Sequence, residues 1–124
     1  MNIYEENRIL NASPVDLVRI LYNAAIRSVE NAREHLRSGD IAARSREIGK
    51  AQAILVELTV SLDASKSPEF GERLLALYDY MQTRLTEANL RQEDSPLAEV
   101  GGLLGTLQEA WSQVEVEETE AAFG

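Results

Sequence analysis

Apolar residues recur every three or four positions along most of the chain, in four separate runs. The first carries Val18, Leu21, Ala25, Val29, Ala32 and Leu36, and the second Ile48, Ala51, Leu55, Leu58 and Leu62. The third carries Leu74, Tyr78, Met81, Leu85 and Ala88, and the fourth Leu97, Val100, Leu104, Leu107, Trp111 and Val114. That alternation keeps one stripe of a helix turned toward a core, so each run predicts an amphipathic helix. The period-two alternation of a strand is confined to Val114-Glu115-Val116-Glu117, which is too short to carry one.

The breaks between runs carry helix-start chemistry. Each of the three prolines follows a serine: Ser13-Pro14, Ser67-Pro68 and Ser95-Pro96. A serine oxygen accepts an orphan N–H of the first turn, and proline there gives up a donor that had no helical partner. These pairs read as three helix starts, the first reinforced by Asp16 in a capping-box spacing. Asp40 marks a fourth, just after Gly39, which can end the preceding helix in a left-handed conformation. The linkers near Gly39, 64–67 and 92–94 are short, which favours antiparallel neighbours. The expected fold is all-α: an antiparallel four-helix bundle over 13–116, a flexible N-terminal arm over 1–12, and an acidic, disordered tail over 117–124.

Helix one has more apolar surface than a bundle seam needs. In NASPVDLVRILYNAA, Leu17, Val18, Ile20, Leu21, Tyr22, Ala24 and Ala25 leave only a narrow polar stripe through Asp16, Arg19, Asn23 and Arg27. Ile20, Tyr22 and Ile26 should therefore point to the flanks of the seam. Two covers are open. Neighbouring helices or the arm, with Ile3, Tyr4, Ile9 and Leu10, can fold over them, or a groove there can receive an amphipathic segment of another protein. Helix four adds Gly101, Gly102 and Gly105, each costing roughly 1 kcal/mol relative to alanine inside a helix. Either tight packing within the chain or the floor of a cleft would use that small face. Trp111 and Tyr78 lie on core seams. Tyr22 and Tyr80 sit off the centre of theirs, where a ring can face a groove and the hydroxyl a solvent or peptide partner. Asn23 and Asn89 flank the same elements.

Composition narrows the function. The 124 residues fit one domain, and there are no cysteines, which excludes disulfides and thiolate metal sites. The net charge is −9, and after Arg91 there are acidic residues only, eight of them, leaving 12 basic against 13 acidic before that point. So acidic a chain has no footprint for a phosphate backbone, and nucleic acid is not expected as a partner. No stretch is long and apolar enough to span a bilayer and the start has no secretory pattern, so no membrane insertion is expected and the protein reads as cytoplasmic.

Catalytic patterns are missing. The lone histidine, His35, has no Glu-x-x-His partner because position 32 is alanine, and it lacks the lysine and glycine that usually sit near a phosphotransfer histidine. No nucleophile elbow or phosphate-cradling glycine loop is present. The chain is expected to be no enzyme and to use no cofactor or metal.

Taken together, Tyr4 before NASPVDLVRILYNAA, then KAQAILVELTVSLD, LLALYDYMQTRLTEANLRQED and the closing LQEAW resemble the flagellin export chaperone (FliS) family, in the family's order and over nearly the whole chain. The third run's Leu-Tyr-Asp-Tyr-Met and Glu-Ala-Asn at 87–89 are its most specific pieces. The three glycines of helix four and the region 64–72 depart from the pattern and leave the local groove shape open. The resemblance implies a cytoplasmic bundle that binds the disordered C-terminal segment of flagellin in grooves beside helices one and three. It would prevent premature polymerisation and deliver its client to the flagellar type III export apparatus, whose gate components are further partners. The resemblance makes Tyr4 and Leu10 arm residues that cap apolar surface. Leu17, Ile20, Leu21, Tyr22, Tyr78, Tyr80 and Asn89 are the expected groove residues. Exposed groove surface can also support a weak homodimer. The alternative is a bundle adaptor for another secreted or regulatory protein.

Overall fold

The computed structural model describes residues 14–62 and 68–113, with side chains from Asp16 onward. They form four α-helices: α1 (Pro14–Ser38), α2 (Ile41–Ser61), α3 (Pro68–Arg91) and α4 (Asp94–Gln113). Among the described residues there is no strand. The expected arm and acidic tail, the capping serines Ser13 and Ser67, and Val114 lie outside them.

Each helix packs on two others, in the ring order α1, α2, α3, α4 and back to α1. Side-chain contacts fix the directions. Arg33 and Asn23 on α1 meet Asp94 and Gln108 on α4, and Ser45 and Gln52 on α2 meet Asn89 and Thr86 on α3. Low numbers pair with high ones each time, so neighbours are antiparallel and the bundle runs up-down-up-down. The α1–α2 interface is the most extensive and α2–α3 the least.

The core follows the three-four stripes. Val18, Ala25, Val29 and Ala32 of α1, Ile48, Ala51, Leu55 and Leu58 of α2, all five α3 positions, and Leu97, Val100, Leu104 and Trp111 of α4 are buried. Leu36, Leu62 and Leu107 are partly buried against them. One position shifts. Tyr22 is 0% exposed, while Leu21, expected on the seam, is only partly buried. A tyrosine hydroxyl can be buried when it finds a partner. Tyr22 finds Tyr78 across the diagonal of the bundle, with oxygens 2.7 Å apart.

Two turns close the ring at one end. The α1–α2 turn is a Schellman motif: Gly39 N–H donates to the Leu36 carbonyl and Asp40 N–H to the His35 carbonyl, at 3.3 and 3.0 Å. Gly39 stands at φ +77°, and Asp40 then caps α2 by accepting from Ala43 N–H at 3.1 Å. The α3–α4 turn uses the same geometry with Gln92 at φ 56°, and Glu93 N–H reaches the Ala88 carbonyl. The expected start of α4 at Ser95-Pro96 moves back, because the helix begins at Asp94 and Pro96 falls inside its first turn. Proline is tolerated there because no N–H is missed. Asp94 is instead gripped by Arg33, through Nε and Nη2 at 2.8 and 3.1 Å.

The α4 glycines divide. A Cβ on Gly101 would stand 3.5 Å from Val29 and Glu30 of α1, while Gly102 and Gly105 face open space. Tight packing therefore explains none of the three, and Gly101 alone approaches another helix.

Candidate functional site

Two exposed valines stand on the second half of α2. Val56 is 54% and Val60 75% exposed, one turn apart on the same face. Across from them on α3 stand Leu75, Asp79 and Gln82, at i, i+4 and i+7. With Thr59 they line an open cavity of about 220 Å³ between the two helices. Small-molecule pockets run to roughly 300–1,000 Å³ and enclose their ligand. This one is a shallow trough, suited to side chains laid along it.

Polar ties between α2 and α3 gather at one end of the trough. Near the α3–α4 turn, Asn89 Oδ1 accepts from Ser45 Oγ at 2.9 Å and from the buried Arg44 guanidinium at 3.4 Å, and the Asn89 carbonyl takes a further Arg44 N–H. One and two turns on, Gln52 Nε2 donates to Thr86 Oγ1, and Gln82 Nε2 donates to the Gln52 carbonyl at 2.9 Å. Among the described residues no side-chain hydrogen bond joins the two helices beyond Gln82, and Val56, Val60 and Leu75 line the cavity between them.

The same end of the bundle holds its aromatic cluster. Trp111 lies 6.5 Å from Tyr22 and takes Phe70 edge-on at 5.4 Å, centroid to centroid. Burial pushes the Tyr78 phenol far up from its ordinary range, and the Tyr22 charge and hydrogen bond act in the same direction. Tyr22 is also raised by burial, against the opposing hydrogen bonds of Tyr78 and Trp111. Both phenols stay neutral and act as hydrogen-bonding struts. Segments 1–13, 63–67 and 114–124 all join the described helices at this end.

The sequence-predicted site residues fall in several places. Leu17, Ile20 and Leu21 are half-buried on α1. Tyr4 and Leu10 lie outside the described residues. Tyr22 and Tyr78 were expected to line a groove, and that placement is corrected: they are 0% and 1% exposed and bonded to each other, because a paired hydroxyl makes burial favourable. Tyr80 is exposed on the α4 side of α3, away from the trough. Its hydroxyl donates to Glu99 Oε1 at 2.8 Å beside Arg84 Nε at 2.6 Å. These two donors hold the Glu99 carboxyl below its ordinary range, and the same bond raises the Tyr80 phenol. Asn89 shares the α2–α3 interface with the trough but pins its opposite end.

Val56, Val60, Leu75 and Asp79 were not singled out from the sequence. The signal is in AILVELTV, where Val56 and Val60 are apolar yet fall off the seam through Leu55 and Leu58. Among the described residues no helix is long and apolar enough to cross a membrane, and no cluster of metal-ligating side chains occurs.

The family described as flagellar protein FliS matches residues 1–118. The chain belongs to the FliS family of flagellar secretion chaperones. It is 38% identical over 110 residues to the flagellar secretion chaperone FliS of Salmonella typhimurium, covering 88% of this chain and 82% of that one. The Campylobacter jejuni FliS is 32% identical over 120 residues, 97% of this chain and 94% of its own length, and the Bacillus subtilis FliS 32% identical over 110 residues, 89% and 81%. A crystal structure of a bacterial flagellar chaperone superposes with a TM-score of 0.77 over 89% of both chains at 18% identity, which shows a shared fold. Family members are chaperones, and the four-helix arrangement fits that class.

Proposed function

We propose that this chain binds the disordered C-terminal segment of flagellin in the cytoplasm, prevents its premature polymerisation, and hands it to the flagellar type III export apparatus. The observation that carries the reading is the trough between α2 and α3 on a FliS-family bundle: Val56 and Val60 expose apolar surface that the fold leaves uncovered. An amphipathic segment laid there buries its apolar face in the helix-in-groove mode. A client disordered on its own loses conformational entropy on binding, which offsets part of the burial and leaves the complex releasable at the export gate. Leu17, Ile20 and Leu21 on α1, with Tyr4 and Leu10 ahead of it, form a second contact surface in this proposal. The chain performs no chemistry on its client and needs no cofactor.

Calorimetric titration with flagellin from the same genome tests the reading. Intact flagellin should bind, and flagellin lacking its C-terminal segment should not. Val60→Asp should weaken binding at least tenfold, because it places an unpaired charge against the client's apolar face. Absence of binding by the folded wild-type bundle would turn the assignment toward an adaptor for another secreted protein.

A further inference from the structure

The trough is not uniformly apolar. Six residues line it, and Asp79 is the one that carries a charge. The other two polar liners are engaged within the chain: Thr59 Oγ1 donates to the Leu55 carbonyl at 2.8 Å, and Gln82 Nε2 to the Gln52 carbonyl at 2.9 Å. The Asp79 backbone carbonyl accepts from Thr83 Oγ1. Its carboxylate has no hydrogen-bond or ion-pair partner among the described residues. Polarity also runs in one direction along the trough. Val60 and Leu75 lie at the end nearer Leu62, Asp79 and Gln82 lie one and two turns further along α3, and the Gln52–Thr86 hydrogen bond lies beyond them.

We infer that Asp79 reads a cationic side chain, a lysine or an arginine, on the apolar helical segment the trough receives, and so sets the register in which that segment lies. This rests on the proposed function and specifies its client. A segment that covers Asp79 with an apolar residue strips water from the carboxylate and returns nothing. One that brings a cation forms a charge-assisted hydrogen bond at the edge of a drying interface. The same carboxylate therefore favours one register and penalises its neighbours, which aliphatic contacts with Val56, Val60 and Leu75 cannot do alone. The recognised pattern is aliphatic residues over Val60 and Leu75, followed about one turn along by a Lys or Arg.

The test is a charge-swap cycle on the full chain and full-length flagellin from the same genome. Asp79 is exposed, so Asp79→Asn and Asp79→Lys should keep the fold, checked by circular dichroism and melting. Asp79→Asn should weaken flagellin binding about tenfold and flatten the salt dependence of the affinity, and Asp79→Lys should weaken it more. Each Lys and Arg of the flagellin C-terminal segment is then replaced in turn by Glu. One replacement should restore binding to Asp79→Lys while weakening binding to the wild-type chain. If the folded Asp79→Lys variant binds as tightly as wild type, or no replacement rescues it, the inference is overturned and the proposed function stands. If the wild-type chain does not bind flagellin at all, both fall.

Discussion

The two ends of this bundle are finished differently. At the end holding the α1–α2 and α3–α4 turns, polar contacts tie the helices to one another. The Schellman turn at Gly39, the Asp40 cap, the bidentate Arg33–Asp94 pair and the Asn89 cluster with Arg44 and Ser45 leave the backbone satisfied and the helices in register. At the other end, among the described residues, no side-chain hydrogen bond joins α2 and α3 beyond Gln82, and Val56 and Val60 are exposed. That end still holds the buried Trp111, Tyr22 and Tyr78, with Phe70 edge-on against Trp111. Rigidity and exposure thus sit in different residues: the aromatics are buried and paired, while Val56 and Val60 are exposed. A docking surface benefits from that arrangement, because the groove is already formed when a client arrives and less ordering is needed on the chaperone's side.

The sharpest way to break this contrast is to remove the strut. Trp111→Ala should cost about 3–5 kcal/mol in chemical denaturation, as buried aromatic truncations do. A much smaller loss would mean that the open end is not held from within. Tyr22→Phe should cost about 1–3 kcal/mol by leaving the buried Tyr78 hydroxyl without its partner. The Tyr22→Phe/Tyr78→Phe double variant should then lose less than the sum of its two singles; additive losses would dissolve the pair as a unit.

At the tied end the two left-handed turn residues make a matched test. Gly39→Ala should destabilise by about 1–2 kcal/mol, because a Cβ at positive φ is strained, and Gln92→Gly should stabilise by up to about 1 kcal/mol by relieving that strain. Equal and opposite responses would show that both turns bear on global stability. Asp94→Asn should have the smallest effect, below about 1 kcal/mol for a solvent-accessible, half-buried pair. Hydrogen bonds from Arg33 hold the Asp94 carboxyl below its ordinary range. Its contribution is therefore present above the unfolded value of 3.8 and lost as pH falls through the lower, folded one. Acid titration of wild type and Asp94→Asn should converge below that window, and divergence there would assign the acid sensitivity to another carboxylate.

Against this contrast, the legibility of the sequence is uneven in a physical way. Helix number, order and most of the buried stripe follow from local rules, since a three-four repeat and a capping residue act within one helix. Gly39 and Asp40 could be read for the same reason. Spacing puts Tyr22 off the seam of helix one, yet the structure buries it, and the exposed valines on α2 were not singled out. A seam defined by spacing alone cannot know that a tyrosine hydroxyl will meet another one 56 residues away. Gln92 shows the limit from the other side: nothing in its identity announces a left-handed turn that the α3–α4 connection imposes.

The amino-acid pattern by itself determined that this chain is four antiparallel helices with a family likeness, because helix formation and seam burial are short-range consequences of residue order. Which residue off the seam is buried was decided only in the tertiary structure. Val56 and Leu55 are neighbours of similar chemistry, and Leu55 is fully buried while Val56 stands open. Spacing accounts for that pair, but it cannot account for Tyr22, which is fully buried because Tyr78 of α3 meets its hydroxyl, and that is a property of two helices together.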